Sequence, residues 1–336
     1  MSVHNVFSNT AAWVANELGI RTMLHAGKDV YIIILARYLR LTAYGAVALI
    51  LALFFQEQGF SDEQIGLFMT LTLLGDVFIS LLLTLVADSI GRRTTLLLGS
   101  LAMALSGAVF ATTGNYIALL MAAIIGVISP SGNEIGPFRA VEESTLAQLV
   151  TEDKRSDVYT WYVVLAVIGT STGLAVGGVA VDRLQAIEEW TDLDAYRTIF
   201  WIYTGVGLVQ AAMTLVLSRR CEHADNRANQ PKSVGEMEPL LDGANGTDGH
   251  ANGTHTAAPA KTPKKPWIAI STISKPSRAV LLKLCSLFFF DSLGSGMVPF
   301  SLINYFMQRK FALPQGKLGG IMSATWYICP LSVMSW

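Results

Sequence analysis

Long apolar runs separated by short polar punctuation make up most of this chain. Eight of the runs approach the roughly 20 helical residues needed to cross a hydrocarbon core about 30 Å thick. They extend approximately from Ile33 to Phe55, Ile65 to Ala87, Thr94 to Thr113, Tyr116 to Pro137, Tyr159 to Val181, Ile199 to Leu217, Leu284 to Met307 and Leu318 to Trp336. No period-two alternation of the barrel kind accompanies them, so the predicted spanning form is the α-helix. The fold class expected is an all-α membrane bundle.

One interval breaks the rhythm. Residues 219–279 are rich in Asn, Gly, Thr, Pro and Lys and hold too little apolar surface to build a core. They read as a disordered linker between a six-helix bundle (31–218) and the start of a second bundle (280–336, two helices). Residues 1–30 read as a cytosolic tail, because no compact apolar segment with a cleavage site occurs there. The linker contains Glu236, Leu240 and Leu241 in the spacing of an acidic dileucine sorting signal, which a vacuolar or lysosomal adaptor would read. The alternative destination is the plasma membrane. Asn-Gly-Thr sequons at Asn245 and Asn252 fall in the same cytosolic stretch and are expected to stay unmodified.

Charge adds the orientation. Only 15% of residues are charged, against about 25% in soluble domains. With the N-terminus cytosolic, about 19 Lys and Arg fall on the cytosolic side and about 5 on the other, as the positive-inside bias requires. Arg309, Lys310 and Lys317 sit on the minority side, an exception that no local sequence feature explains. A formal net charge of −1 offers no nucleic-acid footprint. Cys221, Cys285 and Cys329 have neither metal-ligand nor redox spacing, and no cofactor is implied.

After the second apolar run the chain reads Asp88-Ser-Ile-Gly91-Arg92-Arg93, preceded by Ala87. Glycine suits a tight turn between two helices, and paired arginines anchor a cytosolic end. The segment resembles the motif that follows the second helix of major facilitator superfamily transporters. Asp88, Gly91, Arg92 and Arg93 match in identity and spacing; Thr84 stands for the leading glycine and Ser89 for the first arginine. The resemblance implies a gating latch at these residues.

The fifth run carries Gly169, Gly173, Gly177 and Gly178, similar to the family's antiporter motif. Glycines at i, i+4 and i+8 also permit close packing of two helices. Leu174 replaces the motif's proline, which weakens the case for antiport. Weak internal symmetry is a third point of resemblance, since the family is built of two repeated halves. Anchoring Phe60 on Phe311 sets Gly45 opposite Gly296 and Arg40 opposite Asp291. The resemblance implies a transporter with a twelve-helix plan, of which this chain would supply eight.

Candidate transport chemistry follows from the few polar groups inside the runs, because ionisable residues there are costly and face cavities or partners. Thr72, Asp76, Ser80 and Thr84 recur every four residues in the second run, with Asp76 the one charge and the first candidate for a proton-titrating carboxylate. A structural pair with a nearby arginine is the competing role. The fourth run ends in a segment loosened by Pro130 and Pro137, making Asn133 and Glu134 candidate cavity residues. Arg139 with Glu142 and Glu143 suggests a cytosolic charge network. Arg37, Arg40 and Tyr44 share one face of the first run; Arg37 is expected to snorkel to headgroups. Arg40, lying deeper, is expected to pair with Asp291 across the two halves.

No phosphate-binding loop of the Gly-x-x-x-x-Gly-Lys-Ser/Thr kind occurs, and no hydrolytic or metal constellation, so an ATP-driven pump and an enzyme are not indicated. The function expected is secondary transport of a small organic solute, proton-coupled, by alternating access within the lipid bilayer. The alternative is a truncated fragment that transports nothing and acts through partner binding or not at all.

Overall fold

The computed structural model describes residues 19–126, 128, 137–218, 221, 283, 286, 287, 290, 294 and 298–333. Asn133, Glu134, Asp291 and the motif at Glu236, Leu240 and Leu241 lie outside the described residues. Every regular element described is helical. In chain order they are α1 (Ile20–Leu24), α2 (Lys28–Glu57), α3 (Asp62–Ile90), α4 (Arg92–Thr112), α5 (Tyr116–Gly126), α6 (Pro137–Leu149), α7 (Arg155–Gln185), α8 (Asp192–Val216), α9 (Phe300–Phe311) and α10 (Gln315–Val333). Contacts divide the chain into two units, residues 1–224 with 293–336, and residues 225–292; α1 to α10 all belong to the first.

Three helices start where a side chain satisfies their first N–H groups. Ser61 and Gln64 cap α3 reciprocally, the Gln64 N–H donating to Ser61 Oγ and the Ser61 N–H to Gln64 Oε1. Thr191 and Asp194 form the same box at α8. Asn115 Oδ1 accepts the Ile117 and Ala118 N–H groups at the head of α5. Gly91, with φ of 97°, makes the one-residue turn from α3 into α4. A side chain at that φ would be strained.

Four of the described helical stretches are long and apolar enough to cross a membrane: Lys28–Glu57, Arg92–Thr112, Glu152–Gln185 and Asp192–Val216. Of the expected fourth span, the structure describes α5 over Tyr116–Gly126, and α6 starts at Pro137, where that span was expected to end.

α2 is the central post. It packs along α7, touches α8 on another side, and receives α9. α4 pairs with α8, α3 with α5 and α6, and α10 with α7. One end of the bundle is filled by aromatic rings: Phe54 stands 4.9 Å from Phe200, Phe55 4.3 Å from Phe68, and Phe110 4.9 Å from Phe200, centroid to centroid. At the other end Asp29 accepts both the N–H and the hydroxyl of Ser218, tying the start of α2 to the end of α8.

Candidate functional site

The α2–α7 contact is set by glycine. A Cβ placed on Gly169 would lie 2.7 Å from the Tyr38 carbonyl oxygen, and one on Gly177 would lie 2.7 Å from Ala46 Cβ. Gly173 faces the Thr42 backbone between them, so the two helices run in parallel register, 38, 42 and 46 against 169, 173 and 177. Gly178 points elsewhere, onto the Gln315 and Gly316 backbone of α10. The glycine motif thus splits between two seams, three residues closing α2 on α7 and the fourth closing α7 on α10.

That close approach sets the geometry of a buried charged knot. Arg40 donates through Nη1 and Nη2 to the two carboxylate oxygens of Glu142, both at 2.9 Å. The Tyr162 hydroxyl donates to Glu142 Oε2 at 2.8 Å, and Arg37 donates to the same Tyr162 oxygen. Arg37 also lies 3.9 Å over the Tyr162 ring, and Arg40 4.3 Å over the ring of Phe138. All four polar members are under 10% exposed. Three helices, α2, α6 and α7, are therefore joined by a fully hydrogen-bonded carboxylate, the arrangement in which a buried charge is tolerated.

Two expectations change here. Arg37 does not snorkel; it is 6% exposed and packed on Tyr162. Glu142 turns into the bundle, whereas Glu143 pairs with exposed Arg139 at 2.7 Å. Helical geometry accounts for the parting, because adjacent residues point about 100° apart and cannot share a face. The Arg40 partner described is Glu142. The expected partner Asp291 lies outside the described residues.

Asp76 is 1% exposed, on the same helix face as fully buried Thr72. Tyr44 is 8% exposed on α2, against Leu41, Ala48 and Ala166. At the turn after α3, Arg92 reaches the Ser144 carbonyl at 3.3 Å. Arg93 donates to the carbonyls of Thr214 and Leu215, which close the last turn of α8. The side chain of Asp88, at the end of α3, lies outside those described.

The opposite end holds contacts that no sequence motif announced. Asp62 accepts from the Tyr305 hydroxyl at 2.7 Å and from Arg309 Nη1 at 2.7 Å, bridging α3 to α9. These bonds, Tyr305 first and Arg309 second, hold the Asp62 carboxyl below the usual carboxylate range. Asp182 accepts the Gly316 N–H at 2.9 Å, bridging α7 to α10. Arg309 thereby finds its reason: it serves Asp62. Among the described residues no group of three His, Cys, Asp or Glu is placed to hold a metal.

A bundle of apolar helices with buried charge inside it defines a multi-pass membrane protein. The chain belongs to the major facilitator superfamily, whose family model matches residues 33–335. It is 34% identical over 301 residues to an uncharacterized membrane protein of Saccharomyces cerevisiae, a match covering 89% of this chain and 65% of that relative. The chain thus spans just under two thirds of the relative it matches. The superfamily is one of membrane transporters, not of enzymes, and the match does not favour the fragment acting through partner binding.

Proposed function

We propose that this chain forms the body of a secondary carrier, N-terminus cytosolic, that moves a small organic solute by alternating access and couples the movement to protons. The observation that carries the reading is Asp76, a carboxyl 1% exposed and fourteen positions inside a 29-residue helix. Charge so far from either helix end is expensive in a membrane and is kept where it has a task. A carboxyl that accepts a proton on one side and releases it on the other is such a task.

The knot of Arg37, Arg40, Glu142 and Tyr162 is the rigid element against which the rest moves, and the turn at Asp88, Gly91, Arg92 and Arg93 is the latch at the cytosolic end. Arg40, Tyr44, Asn133, Glu134 and Asp291 are proposed to line the solute path with Asp76. The glycine motif at Gly169, Gly173, Gly177 and Gly178 supplies the close seams. The acidic dileucine at Glu236, Leu240 and Leu241 would direct the carrier to a vacuolar or lysosomal membrane, and without an adaptor there the plasma membrane is its destination. Solute flux into vesicles under an imposed pH gradient, with and without Asp76→Asn, tests the reading.

A further inference from the structure

We infer that one buried water is held on the amide oxygen of Gln210, in a cavity between α8 and the charged knot. It joins α8 to the three helices that the knot already unites, and it is independent of what the protein moves.

Gln210 lies on α8 and is 1% exposed. Its Nε2 donates to the Ala36 carbonyl of α2 at 2.8 Å, which settles which end of the amide is nitrogen and which is oxygen. The oxygen, Oε1, is buried and has no partner among the protein groups. An amide oxygen taken out of water without a replacement is costly, and buried acceptors nearly always find either protein or ordered water. Gln210 also lines a cavity of about 10 Å³, shared with Arg40, Ser100, Phe138, Glu142 and Thr214.

That volume is about what one water needs, provided the walls also offer it about two to four polar partners. Gln210 Oε1 is the first. The Ser100 and Thr214 hydroxyls are the next: each donates its hydrogen to a carbonyl of its own helix, Leu96 and Gln210, and keeps lone pairs with which to accept. The Arg40–Glu142 pair completes the polar part of the wall. An apolar cavity of this size would stay dry, but half of these lining residues are polar. The same pair selects water over an ion. A cation in so small a space would meet the Arg40 guanidinium and an anion the Glu142 carboxylate, whereas a neutral dipole can turn to suit both. The water thereby extends the knot from α2, α6 and α7 to α8.

The test is X-ray hydroxyl-radical footprinting of the full chain in lipid vesicles, in which a bound water is split and oxidises the side chain beside it. The reporter is Phe138, 3% exposed and in the cavity wall. The reference is Phe200, 0% exposed and packed on the rings of Phe54 and Phe110. In the parent, Phe138 is expected to oxidise roughly fivefold faster than Phe200, because only Phe138 has a water beside it. Gln210→Leu removes the acceptor, and should bring Phe138 down to the rate of Phe200 while Phe200 itself is unchanged. Equal rates at the two rings in the parent, or an unchanged Phe138 rate in Gln210→Leu, overturn the site. A variant in which both rings oxidise faster has lost its fold, and the parent then decides by a density map that resolves ordered waters. One peak at about 2.5–3.0 Å from Gln210 Oε1 is expected, and a map with waters elsewhere but none there overturns the site.

Discussion

Arg40 and Glu142 are 102 residues apart in sequence and meet in a two-pronged ion pair, nitrogen to oxygen 2.9 Å on both prongs. With Tyr162 and Arg37 added, this pair is the point where α2, α6 and α7 are held together.

Removing the carboxylate should therefore be costly. Glu142→Gln leaves Arg37 and Arg40 beside a neutral amide, and breaking a buried pair from one side costs about 3–5 kcal/mol. Glu143→Gln, next door but exposed, should cost less than about 1 kcal/mol. Thermal unfolding of the purified protein at a fixed scan rate should separate the two variants clearly.

The glycine seam makes a paired forecast. Gly177→Val drives a branched side chain into Ala46, and overpacking of that kind costs about 1–3 kcal/mol. Gly205 faces open space, so Gly205→Ala should leave stability unchanged or raise it by up to about 1 kcal/mol. Resistance to limited proteolysis would register both directions.

Arg93 spans two carbonyls at the end of α8, which a planar guanidinium does and a single ammonium does not. Arg93→Lys should lose part of the anchor and Arg93→Ala all of it. The full loss is about 1.5–3 kcal/mol, the scale of a hydrogen bond to a charged group. The expected order of melting temperatures is parent, lysine variant, alanine variant; equal values for all three would refute the anchor.

The Asp62 contact predicts a flat pH response in the physiological range. Its folded carboxyl sits below the ordinary value of 3.8, so the stabilisation is fully present above the unfolded value and is lost as pH falls through the folded one. The melting-temperature difference between the parent and Asp62→Asn should hold level from about pH 8 to pH 5 and shrink only below the usual carboxylate range. A change near neutrality would assign the pH response to another group.

Much of the architecture was legible because a bilayer allows few solutions. The runs from Ile33, Thr94, Tyr159 and Ile199 became α2, α4, α7 and α8; α2, α7 and α8 each begin a turn or more before the apolar run, among polar residues on which hydropathy is silent. The glycine row was readable as a packing surface, though not its division between α2 and α10, since spacing alone does not say which neighbour a face meets. Glu142 was harder. Beside Glu143 and near Arg139 it looked like one of a solvated group, and only the position of α6 against α2 turns it inward. Asp62 lies more than 240 residues from Tyr305 and Arg309 and shares no motif with them. The sole hint was a basic residue on the side where basic residues are scarce.

The most direct trial of the account is flux of a panel of organic solutes into vesicles carrying the full chain, under an imposed pH gradient, beside Asp76→Asn at equal insertion. The account predicts gradient-driven flux of at least one solute in the parent and its loss in the variant. Absence of flux from well-inserted parent protein, or equal gradient-driven flux in Asp76→Asn, would contradict it.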